Sequence, residues 1–483
     1  MKRVGIIWSM AILAAAMLSG CSLKSARYQP PLAPAMSDAR DWNTHLAGGE
    51  TSKAVDDVAL SHWWAVFGDP ELTSLEERAL KANLDLRKAE AEIRQARANR
   101  DYYKSNLFPN VSGTLTGGGS RTVSGTSSIG GSIGASSAGV SSGSNSLEFQ
   151  ASWEPDLFGA TRKNIASYSA TLQSQEENLR NVMVTLTGEV ALNYIDVRSY
   201  QARLAVTKST LVTYRDTYDM TVVKRDSGLS TDLDVQQALE TVQSTEADIP
   251  TLETSLRKSL DAISVLLATR PGAVDAELSE VKPIPTIPAE IAVGIPGDLI
   301  RRRPDVRVAE RQYAAQWMQV GVAKANMYPS LTLGGAFTTS ANAFLNVFTP
   351  GATAISSVTG SLQQTLLNRR ALKAQLRLQN ALLDQDEVAY ESTVLGAIQD
   401  VEDALKAFEA EQARQKALTG AADSAKNAAE MSRTLYSSGL KDFLTVLDSE
   451  RTELSTRNSL VQSDATVAEN LVRLYKAMGG GWQ

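Results

Sequence analysis

One phrase is written twice in this chain, and the repetition constrains its fold more than any other feature. Residues 107–115 read LFPNVSGTL and residues 327–335 read MYPSLTLGG. In each, a bulky pair leads into proline and then into alternating polar and apolar positions. Pro329 minus Pro109 is 220 positions, and at the same offset DLRKAE (Asp85–Glu90) matches DVRVAE (Asp305–Glu310) at four of six positions. A second pair, Met220 with SGL at 227–229 and Met431 with SGL at 438–440, is 211 apart. The slip of nine (220 − 211) falls in the interval holding the Gly/Ser-rich segment 123–146, so an insertion there accounts for it. The chain is therefore two tandem copies of one unit of about 200 residues.

The stretches beside the prolines alternate as strands do. In SLEFQASWE, Leu147, Phe149, Ala151 and Trp153 alternate with Glu148, Gln150, Ser152 and Glu154. After Pro329, Leu331, Leu333, Gly335 and Phe337 share one phase, as do Val111, Gly113 and Leu115 after Pro109. A weaker run over 355–366 places Val358, Gly360, Leu362 and Leu366 in one phase. Each run is close to the ~9–11 residues that cross a bilayer as a tilted strand. Four strands do not close a membrane barrel, whose usual minimum is about eight, and an open edge in lipid leaves N–H and C=O groups unpaired. Strands in a membrane thus require several chains to pool them. The alternative is a pair of soluble hairpins capping a helical bundle, one apolar face packed inward.

The N-terminus favours the membrane. Lys2 and Arg3 precede an apolar core from Val4 to Leu18, a secretory signal pattern. It ends in LSGC, and Cys21 is the only cysteine. The motif resembles a bacterial lipobox, in which that cysteine becomes the lipidated first residue. An ordinary signal peptide with a chance cysteine is the competing reading, but a lone cysteine forms no internal disulfide. Ser22 stands where, by resemblance, an aspartate would tend to retain a lipoprotein at the inner membrane, so the outer membrane is expected. After residue 20 no apolar run approaches the ~18 residues of a spanning helix. The net charge of −6 offers nothing to nucleic acid.

Long helices join these strands. From about Gly159 to Arg225 there is no proline, and Leu179, Met183, Leu186, Val190, Val197, Tyr200, Leu204 and Leu211 recur in steps of four and three, interrupted by Asn193 and Thr207. That period demands supercoiling against a partner helix, over a segment roughly 100 Å long. The second copy repeats it at Tyr390, Val394, Ile398, Val401, Leu405 and Phe408. Taken alone, the seam also fits a soluble bundle or a cytoskeletal rod. Gly228 and Gly439 read as left-handed C-caps, each followed by new helical patterning. Each copy is thus a hairpin of long helices with a tight tip.

These features together resemble the TolC-type outer-membrane efflux factors, closest to the OprM/NodT-like lipoprotein branch. The phrases that carry the resemblance are WWAVFGDPEL (63–72), WEPDLFG (153–159), RRPDVR (302–307), ANMYPSLTL (325–333) and LYKAMGGGW (474–482). They cover the chain from about residue 60 to its end. Pro155 departs from the usual WExDLFG wording, and TLLNRR (365–370) replaces the aromatic-glycine phrase in the second copy. The resemblance implies an α+β membrane protein: a homotrimer whose twelve-stranded β-barrel, four strands per chain, continues into a coiled-coil periplasmic tube. It further implies a periplasmic membrane-fusion adaptor and an inner-membrane efflux pump as partners. Each copy then donates one hairpin to the barrel, with proline where helix gives way to strand.

The same resemblance places a gate at the hairpin tips. Leu444 and Asp448, four apart and on one helical face, would line a closed aperture as an apolar constriction and an acidic ring that attracts cations. Asp234, Tyr436 and Lys441 match positions where relatives bond neighbouring hairpins, as a charge pair with a supporting hydroxyl contact. Thr445 stands where some relatives have a further aspartate. The plainer reading makes Asp448 and Lys441 solvated residues beside a turn, and exposed pairs contribute at most about 1 kcal/mol.

Other motifs lead nowhere. GGSIG at 130–134 fits the GxSxG pattern but lies in the Gly/Ser tract, read as a loop between strands, with no strand before it or helix after it. His45 and His62 are the only histidines, which leaves no catalytic triad or metal constellation. Arg301–Asp305 reads as a helix start at Pro304 and Asp305 more than as a basic patch. No phosphate-cradling motif is present.

The expected organisation is a signal peptide at 1–20, then a lipidated segment with part of an equatorial region at 21–84. Repeat 1 is 85–270, with a β-hairpin at about 109–156 and a helical tip at about 226–234. A linker at 271–304 precedes repeat 2, 305–476, with a β-hairpin at about 329–366 and a tip at about 436–448. A tail covers 477–483. The chain is read as a passive export duct in the outer membrane, non-enzymatic, without cofactor beyond a covalent lipid on Cys21. A lipid-anchored periplasmic coiled-coil scaffold without a pore is the alternative.

Overall fold

The structure, a computed structural model, describes residues 28–30, 42, 50–51, 60–121, 141–287, 291–292 and 296–482. The signal segment, Cys21, His45 and the tract 122–140 lie outside the described residues. In chain order the elements are α1 (Pro70–Ala82), α2 (Leu84–Ser105), β1 (Asn110–Arg121), β2 (Ser141–Trp153), α3 (Ala160–Asp226) and α4 (Asp232–Leu266). Then follow α5 (Pro296–Arg302), α6 (Pro304–Ala325), β3 (Ser330–Ala341), β4 (Thr353–Gln363), α7 (Arg369–Ser437) and α8 (Phe443–Ala477). The chain forms two compact units, but neither is one repeat. Among the described residues, one holds 28–30, 95–121, 141–172 and 311–387, the other 42, 50–51, 60–94, 173–287, 291–292, 296–310 and 388–482. Each copy therefore contributes to both units, because its strands pair with the other copy's strands and its helices pack with the other copy's helices.

In the first unit the strands form one antiparallel sheet in the order β1-β2-β3-β4. The repeated phrase makes the same helix-to-strand turn twice. Leu107 and Phe108 amides donate to the Lys104 and Ser105 carbonyls at 3.1 and 3.0 Å, and those of Met327 and Tyr328 to Lys324 and Ala325 at 3.2 and 3.0 Å. Proline follows, lacking an N–H to continue the helix. At the other end of each hairpin, Trp153 Nε1 donates to the Leu107 carbonyl and Gln364 Nε2 to the equivalent Met327 carbonyl, at 3.0 and 3.3 Å. Trp153 and Gln364 are 211 positions apart, so the glutamine does in copy two what the tryptophan does in copy one.

Three strand expectations need correction. The fourth strand ends at Gln363, so Leu366 lies beyond it. The first-copy strand ends within one position of the equivalent place, at Trp153; beyond it, Asn368 takes the left-handed φ of +63° immediately before α7, as Gly159 does at +80° before α3. Asparagine tolerates that region better than most side chains. The strand expected over 146–154 instead runs from Ser141 to Trp153, leaving Glu154 outside and taking residues 141–146 from the segment read as a loop.

In the second unit three of the signature phrases, at 63–72, 302–307 and 474–482, meet in the core. Gly68 ends a short 3-10 turn at φ +62°, and Asp69 caps α1 by accepting from the Glu71 and Leu72 amides. Pro70 follows at the first helical position, where a missing N–H costs nothing. Asp69 also accepts the Tyr194 hydroxyl at 2.6 Å. The Trp63 ring stacks on Tyr475 at 5.5 Å. The terminal glycines allow this: a Cβ on Gly481 would sit 2.5 Å from Thr187 Oγ1, and its amide donates to the Leu60 carbonyl at 2.9 Å. Arg303 of the RRPDVR phrase bonds Asp305, Asp400 and the Ala477 carbonyl.

The heptad seam is buried, and it is wider than a two-helix stripe. Leu186, Val190, Val197, Leu204 and Leu211 are buried, but so are Tyr194, Ile195 and Arg198 between them. Thr207, read as an interruption, is buried too. The helix thus meets neighbours on more than one side. Among the described residues no helix is long and apolar enough to cross a membrane.

Candidate functional site

Two places gather the expected functional residues, the sheet and the helical tips. In the sheet, directly opposed residues of antiparallel strands point to one face. One face carries the rows Val111–Ala151–Gly335–Val358 and Gly113–Phe149–Phe337–Ser356. Trp153–Leu333–Gly360 and Leu331–Leu362 lie on the same face. The other face carries Asn110–Ser152–Gly334–Thr359 and Ser112–Gln150–Ala336–Ser357, with Ile355 as its large apolar exception. Bulk alternates with glycine along the apolar rows; a Cβ on Gly113 would already lie 3.2 Å from the Phe149 ring. This apolar face is open within one chain, with Val358 92% and Leu362 66% exposed. Strands β1 and β4 are its edges, each with a row of backbone groups unpaired among the described residues.

At the tips both copies end a long helix identically. Gly228 and Gly439, at φ +74° and +75°, donate to the carbonyls three residues back, and Leu229 and Leu440 to those five back. This is the Schellman arrangement expected of a glycine past a helix end. The next helix then starts on a cap. Thr231 caps α4 in a reciprocal box with Asp234, and Asp442 caps α8, accepting from the Thr445 amide at 2.9 Å and from its hydroxyl. Burial pushes the Asp234 carboxyl up and Asp442 adds to that, but bonds from the Thr231 amide and the Ser230 and Thr231 hydroxyls outweigh them and hold it below its usual range. Asp442 is also lowered, first by the Thr445 hydroxyl and amide.

Leu444 and Asp448 share the exposed face of α8, Leu444 56% exposed, opposite buried Phe443, Val446 and Leu447. Lys441 is exposed and, among the described residues, enters no ion pair. Within one chain Asp234 does not pair with it, because its carboxylate is taken by the cap. Tyr436 is buried, not aimed at Asp234: its hydroxyl lies 3.3 Å from Thr221 Oγ1 and its ring 3.9 Å from Lys224 Nζ. Thr445 is a capping donor. Sequence reasoning missed Lys224, Thr221 and Asp442. The S/T-x-x-D and D-x-x-T spacings signal the caps, whereas a lysine in a last helical turn reads simply as a dipole partner. It also missed Glu450, buried on α8, which accepts from Thr217 Oγ1 of α3 at 2.9 Å and lies 3.1 Å from Arg433 Nε of α7. Among the described residues no cluster of His, Cys, Asp and Glu is placed to hold a metal.

Comparison with known proteins matches the same regions. The sequence fits the family described as outer membrane efflux protein over residues 75–269 and 295–480. It is 31% identical over 470 residues to nodulation protein T of Rhizobium leguminosarum bv. trifolii, covering 96% of each chain. It is 30% identical over 470 residues to the probable efflux pump outer membrane protein TtgC of Pseudomonas putida, covering 96% of this chain and 94% of that one. Its fold is similar to the solved outer-membrane channel OprN, at TM-score 0.84 and 29% identity, over 96% of this chain and all of that one.

Proposed function

The chain belongs to the outer membrane efflux protein family, and on that premise we propose that it is the outer-membrane duct of a tripartite efflux system. Drugs or other small molecules would pass through it from an inner-membrane pump and a periplasmic adaptor to the outside, with energy supplied by the pump.

One observation carries the proposal. A single chain offers a four-stranded sheet, apolar on one face and polar on the other, with both edges unpaired among the described residues. Such a sheet is stable in lipid only when its edges are closed by further copies. Two copies would make eight strands, whose interior side chains fill. Three make twelve, the smallest number above that which leaves a polar lumen. A homotrimer with the Val111–Val358 face towards outer-membrane lipid satisfies every constraint.

Lipid anchoring at Cys21 agrees with the fold. Tyr28 packs against Tyr313 and Trp317 of α6, with ring centroids 6.4 and 5.9 Å apart. Cys21 and Tyr28 are seven positions apart, a reach of at most ~25 Å. From Trp317 the helix rises only about 12 Å to Ala325 before the strand hairpin begins. The level at which the strands enter lipid is therefore within the reach of an anchor on Cys21.

At the tips, Leu444 and Asp448 form the aperture, with three copies of each making an apolar ring and an acidic ring. Asp234, Tyr436 and Thr445 shape the tips that present them, and the exposed Lys441 would bond a neighbouring copy.

The test is the native mass of the lipidated protein extracted from outer membrane in mild detergent. Three chains per particle are expected. A monomer would leave open edges in lipid, and the poreless scaffold would then replace the duct.

A further inference from the structure

Three side chains tie the two tips together inside one chain. Lys224 lies in the last turn of α3, with its ammonium 3.9 Å from the centre of the Tyr436 ring in the last turn of α7. The same ammonium donates to the Tyr436 carbonyl. That carbonyl also accepts the Gly439 amide at 3.0 Å, the bond that closes the second Schellman turn. Lys224 therefore grips an atom of the turn itself. At the far end of the ring, the Tyr436 hydroxyl meets Thr221, one turn back along α3 and fully buried. Beyond it, the Tyr436 ring packs edge-on against Phe443 at 6.0 Å, and Phe443 immediately precedes Leu444. The contacts run from α3 through Tyr436 and Phe443 to the exposed leucine of α8.

Duplication did not supply this pair. At the offset of 211, Lys224 corresponds to Leu435, and Arg225 to Tyr436. The tie is asymmetric, a first-copy cation on a second-copy aromatic, grafted onto two turns that are otherwise the same. Its chemistry is also distinct from the exposed ion pairs along the helices, such as Lys208–Glu253 and Arg78–Glu277. A cation held by a ring face and a carbonyl is released without stranding a buried carboxylate. Such a contact holds firmly and still opens reversibly.

We infer that Lys224 is a positioning residue of the periplasmic aperture, holding the second helical hairpin against the first so that Leu444 and Asp448 stay in the closed ring. This rests on the reading of the tips as the aperture.

The experiment is single-channel conductance of the full-length protein in planar lipid bilayers. K224M and Y436L should each raise conductance or open probability by about tenfold, the scale of one charge-assisted hydrogen bond. The double variant should fall short of the sum of the two singles, since both remove the cation–ring contact, although Y436L also removes the contacts with Thr221 and Phe443. K224R, which keeps a cation over the ring, should restore the closed state, and K224Q should not. Detergent-extracted trimer yield and melting temperature check that each variant assembles. L444A and D448N test the aperture itself. If they change conductance while K224M and K224Q match the wild type, the tie is overturned and the aperture stands. If none of these substitutions changes conductance, both fall. Additive effects of K224M and Y436L would also overturn the tie.

Discussion

Asp234 and Thr445 stand 211 positions apart, at the same place in the two copies, and each is bonded to the side chain three residues before it. In the first tip threonine is the cap and aspartate its partner; in the second the identities are exchanged. One hydroxyl–carboxylate pair thus shapes both tips. Asp442→Thr or Thr445→Asp alone should remove it, because the second tip would then hold two threonines or two facing aspartates. Each single change should cost about 1 kcal/mol locally. The double exchange, which writes the first tip's pattern into the second, should recover most of it. Hydrogen exchange at the Thr445 amide is the readout, and a double exchange as labile as either single would refute the equivalence.

Glu450 makes the tip region sensitive to pH. Burial raises its carboxyl to about 7, against the lowering effects of Thr217 and Arg433, while Glu453 adds to the rise. Tyr214 of α3 also donates to the Glu450 carbonyl at 2.9 Å. The folded state holds this proton over a range where the unfolded chain has released it. Stability from this group is therefore full below about pH 4.5 and is lost as pH rises towards about 7, by as much as ~3 kcal/mol per chain. Glu450→Gln should flatten the melting temperature between pH 5 and 7, a range set by those same values. An unaltered pH profile would show that another group is responsible.

Glu76 is a buried carboxyl with no hydrogen-bond partner on either oxygen, and burial raises its pKa well above the usual range. It lies on α1 among Leu72, Leu75 and Ala79. An unpartnered polar group costs on the order of 1–3 kcal/mol. Glu76→Leu, close in volume and apolar, should therefore raise the melting temperature. A lower one would mean that this carboxyl has a role in the assembled particle.

The two sheet faces should answer differently to charge. Val358→Arg on the apolar face should cost about 2–4 kcal/mol in lipid and lower the yield of membrane-inserted protein. Ser357→Arg, one residue away on the polar face, should insert normally. Equal tolerance at the two positions would count against a lipid-facing sheet.

Much of this was legible in one dimension. Period-two alternation assigned every large side chain of the apolar rows to a common face except Leu366, which lies beyond the strand as its first-copy counterpart Pro155 does. Gly228 and Gly439 were readable as helix ends because a left-handed φ is a local backbone property. Leu444 and Asp448 were readable as one face because four residues nearly complete a helical turn. Asp234, Tyr436 and Lys441 were not resolved in the same way. Asp234 is held by its own cap, and Tyr436 by residues more than two hundred positions distant.

The duplication is legible as a repeated phrase, and the helix and strand periods, the turns at Pro109 and Pro329 and the apolar face are legible because each depends on neighbours within a few positions. Only the folded chain shows that the compact units cut across the repeats, that β2 joins β3, and that Lys224 and Thr221 hold Tyr436. Those outcomes depend on which surfaces of two near-equivalent copies come together. Pairing between distant segments is set by packing and desolvation, which no local period records.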